Sequence, residues 1–337
     1  MRLTALVENP EHVCCRYRLA AFRPLLERAG HSLELCSWPR RWWSRLWMGG
    51  PLGQSDVVIV QRKLLPAWEL FLLRRSARRL VFDFDDAVFL RDSYSARGLY
   101  SGRRKRRFAS VIRFADRVVA GNAFLRHQAA SWTDAEQVHI IPTCVDVAQY
   151  PRSDHVRAGN GVQLVWVGSS STLRGLKAIQ PMLEDVGQRW PGLRLKLICD
   201  RFFRLRNLQV LPCPWSEATE GGLIAAGDIG ISWVPDDDWS RGKCGLKVLQ
   251  YMAAGLPVVA NPVGVQAEMV RHGETGFLVE TADQWSEAIG QLALDPGLRR
   301  RMGQAARQRV EAEFSVAVGA QHWLRLLDEL QGQRAAA

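Results

Sequence analysis

RGKCGLKVLQYMAAGLPVVA, residues 241–260, joins a polar, glycine-containing loop to a short helix and then to a buried strand. Leu246, Leu249 and Ala253 recur at helical spacing and face a core, while Lys247 and Gln250, three apart, share a neighbouring face that can meet a ligand. Gly255 ends the helix as a cap, Pro257 prevents its continuation, and Val258, Val259 and Ala260 read as a strand covered on both faces. A cation at a helix start beside a glycine suits an anion. An ordinary helix and strand with a solvated lysine fits the same pattern, so the surrounding chain has to decide.

Upstream, strands are expected at residues 2–7, 32–36, 57–60, 80–84, 117–120 and 138–141, with helices at 16–29, 66–77, 103–115 and 122–132 between them. Such alternation predicts an α/β fold with a parallel sheet covered by helices. The polar stretch 143–161, TCVDVAQYPRSDHVRAGNG, has no sustained period and places a domain boundary near Arg157. A second series follows: strands at 162–167, 193–199, 208–211, 228–233, 256–260 and 276–279, and a helix over 173–190. Segments 282–294, 296–313 and 316–331 read as three closing helices. The expectation is two domains, residues 1–157 and 158–315, each a parallel sheet covered by helices.

A length of 337 residues allows two cores. Hydrophobic content of 47% with 23% charged residues, and no apolar run near 20 residues, describes a globular chain without a membrane span. The start, MRLTALVENP, reads as a first strand and not as a signal peptide, which makes a cytoplasmic location the expectation. Seven scattered cysteines without a CxxC pair read as reduced thiols. A net charge of +11 asks for an anionic partner. Much of the excess lies in Arg103, Arg104, Lys105, Arg106 and Arg107, and in Arg40, Arg41 and Arg45 interleaved with Trp38, Trp42, Trp43 and Trp47. The second group suits a peripheral contact with an anionic membrane surface. No recognised nucleic-acid module accompanies the charge, which argues against nucleic acid.

Three further segments can carry chemistry. VWVGSSSTLRGLKAI, residues 165–179, sets Gly168, Ser169 and Ser170 after a strand and before a helix, with Arg174 and Lys177 close by. A helix start there offers free N–H groups to phosphate, although the segment is neither a P-loop nor GxGxxG and also fits a plain cap. VFDFDDAVF, residues 81–89, ends a strand with Asp83, Asp85 and Asp86, which could orient hydroxyls, act as a base, bind metal or only cap a helix. Arg16 and Arg18 follow the first strand, and Trp215 stands where an indole could support a planar base or anchor a helix; Glu217 follows it in a helical first turn.

Joined with NPVGVQAEMVRHGETGFLVE (261–280), the opening stretch resembles the glycosyltransferase family 4 branch of the GT-B enzymes. AGHSLEL, IIPTCVD, VGSSSTLRGL and GETGFLV look like that family's strand entry, hinge, phosphate segment and turn, so the resemblance spans nearly the whole chain. It implies that both domains are Rossmann-like, with parallel sheets facing across a cleft, a C-terminal helix (316–331) crossing back to the first domain, and retaining transfer from a nucleotide diphosphate sugar to a sugar or lipid-linked acceptor, with no cofactor and no metal. The donor would meet Gly168, Ser169, Ser170, Trp215, Glu217, Lys243, Gly245, Leu246 and Gln250. Lys247 and Arg174 would stabilise the leaving diphosphate, and Asp85 would stand near the reaction centre. Arg16, Arg18, Asp86 and Asn122 would bind the acceptor.

The chain departs from the family where the EX7E pair falls on Gly242 and Gln250, where Ser169 replaces an arginine, and where Asp85 replaces a histidine. Gln250 can still bond ribose hydroxyls but supplies no charge. The lost acidic pair also motivates a rival reading, a non-catalytic nucleotide-sugar or membrane-binding protein. An epimerase or phosphorylase on the same architecture is a third, since fold does not fix function.

Overall fold

The computed structural model describes residues 1–39, 52–156 and 161–335. They divide into two compact units: Met1–Cys144 with Asp237–Cys244 and the C-terminal helix Val316–Ala335, and Val145–Asp236 with Gly245–Ser315. The division falls between Cys144 and Val145 instead of near Arg157, which lies outside the described residues. The short excursion Asp237–Cys244 into unit 1 has no counterpart in the sequence reading.

In unit 1 the strands are β1 (Arg2–Val7), β2 (Ser32–Ser37), β3 (Val57–Gln61), β4 (Leu80–Phe84), β5 (Arg117–Ala120) and β6 (Val138–Ile140). They pair in parallel in the order β2-β1-β3-β4-β5-β6. β3 and β4 are buried along their length, as strands covered on both faces must be. On one face Leu70 and Leu73 of the helix Ala67–Ser76, with Phe108, Val111 and Ile112 of the helix Gly102–Phe114, pack on Val58, Val60, Phe82 and Phe84. Leu3, Ala5, Ile59 and Val81 belong to a separate cluster with Phe22 and Leu26, and with Trp323, Leu327 and Leu330 of the C-terminal helix.

Unit 2 contains β7 (Gln163–Val167), β8 (Arg194–Cys199), β9 (Gln209–Pro214), β10 (Ile229–Ser232), β11 (Val258–Ala260) and β12 (Gly276–Leu278), ordered β12-β11-β10-β7-β8-β9 and parallel throughout. The chain starts this sheet in the middle, works outward to β9, and resumes on the other side at β10. Its order therefore reverses between β7 and β10, and that of unit 1 reverses between β1 and β3. Ligand crevices of open parallel sheets form beyond the carboxyl ends of such strands.

Two expected helices are broken. Residues 16–29 fold as Val13–Arg18, a 3-10 turn at Ala20–Phe22, and Arg23–Arg28; residues 173–190 fold as Leu173–Ala178 and Gln180–Arg189. Pro24 and Pro181 occupy the first turns of the second pieces, where a missing N–H is tolerated. A larger correction concerns Leu246–Ala253. It packs between β10 and the helix Pro296–Glu313, so every residue from Val248 to Ala253 is buried. The side expected to face a ligand is closed beyond the first turn.

His155, buried with φ of 51°, donates from Nε2 to the Gly255 carbonyl at 2.7 Å, and its buried Nδ1 makes no hydrogen bond among the described residues. Burial pushes its pKa below the ordinary 6.5. The unfolded chain then binds a proton that the folded chain refuses, so this contribution to stability is full above pH 6.5 and is lost as pH falls. His155→Asn, which tolerates the same backbone, should show a smaller decline in urea midpoint between pH 7.5 and 5.5 than the native protein. Equal declines would remove His155 from that account.

Candidate active site

In unit 2, Lys247 stands beside the loop that follows β7. Its Nζ lies 3.8 Å from the ring centroid of Trp166, which is 1% exposed, and 3.4 Å from Thr172 Oγ1. Gly168 makes this approach feasible: a Cβ there would lie 2.5 Å from the Trp166 ring, 2.6 Å from Thr172 Oγ1 and 3.0 Å from Lys247 Nζ. Gly245 precedes the helix in left-handed conformation (φ 63°), and a Cβ would stand 2.6 Å from Met269 Sδ. Leu246 and Lys247, in the helix's first turn, are half-buried.

The loop after β7 does not offer the row of free N–H groups that the sequence suggested. Gly168 N–H donates to Ile198 O at 3.0 Å, Ser169 N–H to Thr172 Oγ1 at 3.2 Å, and Ser170 N–H to Asp200 Oδ1 at 2.6 Å. A hydrogen bond from the Ser170 side chain, foremost among several contacts that include the Ser170 N–H, holds the Asp200 carboxyl below the usual range. Positive charge here is instead a matter of side chains, Lys247 and the exposed Arg174. Trp215, 44% exposed just beyond β9, donates from Nε1 to Glu220 Oε2 at 2.7 Å, which fixes one edge of the indole. Glu217 is exposed in the first turn of the helix Glu217–Ala225. Gln250 is only 3% exposed and donates from Nε2 to Tyr150 Oη at 3.1 Å, so its side chain lies in the packed body of the unit.

In unit 1 the carboxyl ends of β1, β3 and β4 gather acid and guanidinium groups. Arg18 and Asp83 are each fully buried and form an ion pair; Arg18 also donates to the Ile141 carbonyl, and Gln61 Nε2 to Asp83 Oδ2 at 3.4 Å. Burial works against the Arg18 charge, and Asp83 more than offsets it. Arg18 is thus committed to the fold, contrary to the acceptor-binding expectation. Arg62, at φ 58°, pairs with Asp85 Oδ1 at 3.4 Å and Asp86 Oδ2 at 3.0 Å, and donates to Cys14 Sγ. Asp85 Oδ1 is buried and makes no hydrogen bond among the described residues. Loss of solvent pushes the Asp86 carboxyl upward, opposed by Lys243 and Arg62.

Asn122 is also a structural residue. Its Nδ2 donates to the carbonyls of Arg241 (3.2 Å) and Lys243 (3.0 Å), while Oδ1 caps the helix Ala123–Ala130. It clamps the excursion 237–244 onto unit 1, and Lys243, expected with the donor group, lies there with its Nζ 5.0 Å from the Trp239 ring. Gly242 packs on Ala87, where a Cβ would stand 2.6 Å from the alanine Cβ and 2.9 Å from its nitrogen. A glutamate has no room at that position. Arg16, half-buried, lies 4.7 Å from the Tyr17 ring. Arg62 escaped the sequence reading, though its signal was present: it directly follows β3 beside the reversal of strand order.

Solved structures that this chain resembles match it over almost its whole length. Sucrose-phosphate synthase from Thermosynechococcus elongatus superposes with a TM-score of 0.75 at 15% identity, covering 98% of this chain and 99% of that one. Anabaena HepE in complex with UDP-glucose gives 0.70 at 17% identity, over 98% and 100%. The fold is GT-B: two units, each on a parallel six-stranded sheet. Within it, residues 239–309 match the family model described as Glycosyl transferases group 1. A D-inositol 3-phosphate glycosyltransferase from Pseudarthrobacter chlorophenolicus is 29% identical over 53% of this chain and 47% of its own length. N-acetyl-alpha-D-glucosaminyl L-malate synthase from Bacillus anthracis is 41% identical over 21% of this chain and 19% of its own. The chain spans about half the length, or less, of these curated relatives.

Proposed function

We propose that the protein is a retaining glycosyltransferase that moves a sugar, of the hexosyl class, from a nucleotide diphosphate sugar to an acceptor hydroxyl in glycan, lipid or cell-surface polysaccharide synthesis. The observation that carries the reading is Lys247, held against Trp166 and Thr172 at the strand-order reversal of unit 2. The match of residues 239–309 to group 1 glycosyl transferases, together with the UDP-glucose bound by HepE, makes uridine diphosphate sugars the first donors to examine.

As the bond from the anomeric carbon to the diphosphate breaks, negative charge grows on the leaving oxygens. Lys247 and Arg174 answer that charge as pre-placed cations, without a metal. Trp215 supports the base with its exposed indole. A new bond forms from the acceptor oxygen to the same carbon, and Asp85, whose Oδ1 pairs with Arg62 and makes no hydrogen bond among the described residues, takes the hydroxyl proton. Arg62 holds Asp85, and Arg16 and Asp86 contact the acceptor. Retention of configuration is supported by the resemblance of residues 241–280.

A thermal-shift screen of nucleoside diphosphates and their sugars, followed by transfer assays in excess EDTA, tests the reading. A diphosphate should raise Tm, and turnover should survive chelation; proton NMR of the first product should show the donor's anomeric configuration. If no diphosphate shifts Tm, the donor assignment fails. The non-catalytic reading is motivated by Gly242 and the burial of Gln250. Diphosphate binding without transfer to any of a broad acceptor panel would favour it.

A further inference from the structure

The helix Ala67–Ser76 is apolar on two sides. Leu70 and Leu73 face the core, yet Trp68 (47% exposed), Phe71 (53%) and Leu72 (37%), with Arg75, recur at positions i, i+3, i+4 and i+7 and form an outward stripe. The Arg75 guanidinium lies 5.7 Å from the Phe71 ring. A surface helix should carry polar residues there, and large apolar stripes on a surface usually mark a contact.

The neighbouring helix Gly102–Phe114 supplies the charge. It packs beside Ala67–Ser76 over the same core, and Arg107 reaches across to the Leu64 carbonyl at 3.4 Å. Arg104 is also engaged, donating to Leu90 O at 2.8 Å. Arg103, Lys105, Arg106 and Arg113 are exposed, with Lys105 and Arg113 flanking the Trp132 ring at 6.0 and 5.2 Å. One outer layer of unit 1 therefore sets an aromatic and aliphatic stripe beside a field of cations.

We propose that this two-helix layer docks on a bilayer surface rich in anionic phospholipid: Trp68, Phe71 and Leu72 enter the headgroup and acyl boundary, while Arg75, Arg103, Lys105 and Arg106 meet lipid phosphates. The charge complementarity is direct, and apolar residues beside basic ones are the composition of interfacial helices. A nucleic-acid backbone would use the cations and leave the outward stripe in water. No helix among the described residues is long and apolar enough to cross a membrane, so this contact lies on the surface. The segment expected to touch membrane, Trp38 to Trp47, contributes little to the argument: Trp38 packs against the unit 1 core, and Arg40, Arg41, Trp42, Trp43, Arg45 and Trp47 lie outside the described residues.

Vesicle flotation of the full chain tests the idea, using phosphatidylcholine vesicles with and without 30% phosphatidylglycerol, about that fraction being enough for a strongly anionic surface. Binding should require the anionic lipid and weaken as salt rises. Trp68→Ser with Phe71→Ser, both exposed positions, should lower the bound fraction at least about tenfold, the order expected for losing two buried aromatics. Arg103→Glu with Lys105→Glu should abolish the preference for anionic lipid, with Tm of both variants near the native value. The idea is overturned if the native chain does not float with anionic vesicles at low salt, if both variants float as it does, or if single-stranded DNA is retained while vesicles are not. None of these outcomes depends on a glycosyl transfer assay.

Discussion

Lys247→Met is expected to lower kcat for sugar transfer by about 10²- to 10³-fold, the effect of removing one pre-placed stabiliser of transition-state charge. Methionine keeps an unbranched chain against Trp166 and Thr172 but removes the ammonium, so the loss isolates charge from packing. KM for the donor should rise less than kcat falls, because the leaving diphosphate gains its charge during the reaction. Lys247→Arg should restore only part of the rate. The space above Trp166 is bounded by Gly168 and Thr172 and suits a compact ammonium better than a planar fork. Turnover of the methionine variant within threefold of native, with the fold intact, would remove Lys247 from the chemistry.

Breaking the Arg18–Asp83 pair should cause the largest change in stability. Both side chains are fully buried, so Arg18→Met leaves Asp83 hydrogen-bonded to the Gln61 side chain and otherwise an uncompensated charge in the core. Such a loss costs about 3–5 kcal/mol, read as a lower urea midpoint at unchanged m-value. Arg18→Met with Asp83→Leu should recover much of it, because an apolar pair avoids both desolvation costs. A variant as stable as the native protein, but with a raised KM for acceptor, would return Arg18 to the ligand-binding role suggested by its place after β1.

Strand positions were legible because parallel strands write themselves as short apolar runs: Val57 to Val60 and Leu80 to Phe84 could hardly be anything else. The left-handed glycine just past the helix end, Gly255 with φ of 73°, was equally plain. What lay hidden was which polar residues the core would claim. Arg18, Asn122 and Gln250 read as ligand contacts because position along the chain suggests proximity but says nothing of burial. Their partners, Asp83, the carbonyls of Arg241 and Lys243, and Tyr150, are 65 to 121 residues away in sequence. The place of Lys247 was legible because it depends on the helix start beside it, a local feature. The outward stripe of Trp68, Phe71 and Leu72 escaped notice for the opposite reason: at helical spacing, an apolar face looks the same whether it meets a core or water.

The C-terminal helix inverts the order of manufacture. Trp323, Leu326, Leu327 and Leu330 complete the face of unit 1 that holds β1 and β3. On a ribosome that face is made before residues 145–315 and must wait for them before its cover emerges. Unit 2, whose residues fall between 145 and 315, has every part of itself in hand sooner. The half begun first is the half finished last, and until then Phe22, Leu26 and Ile59 stand as apolar surface in need of a chaperone or of speed.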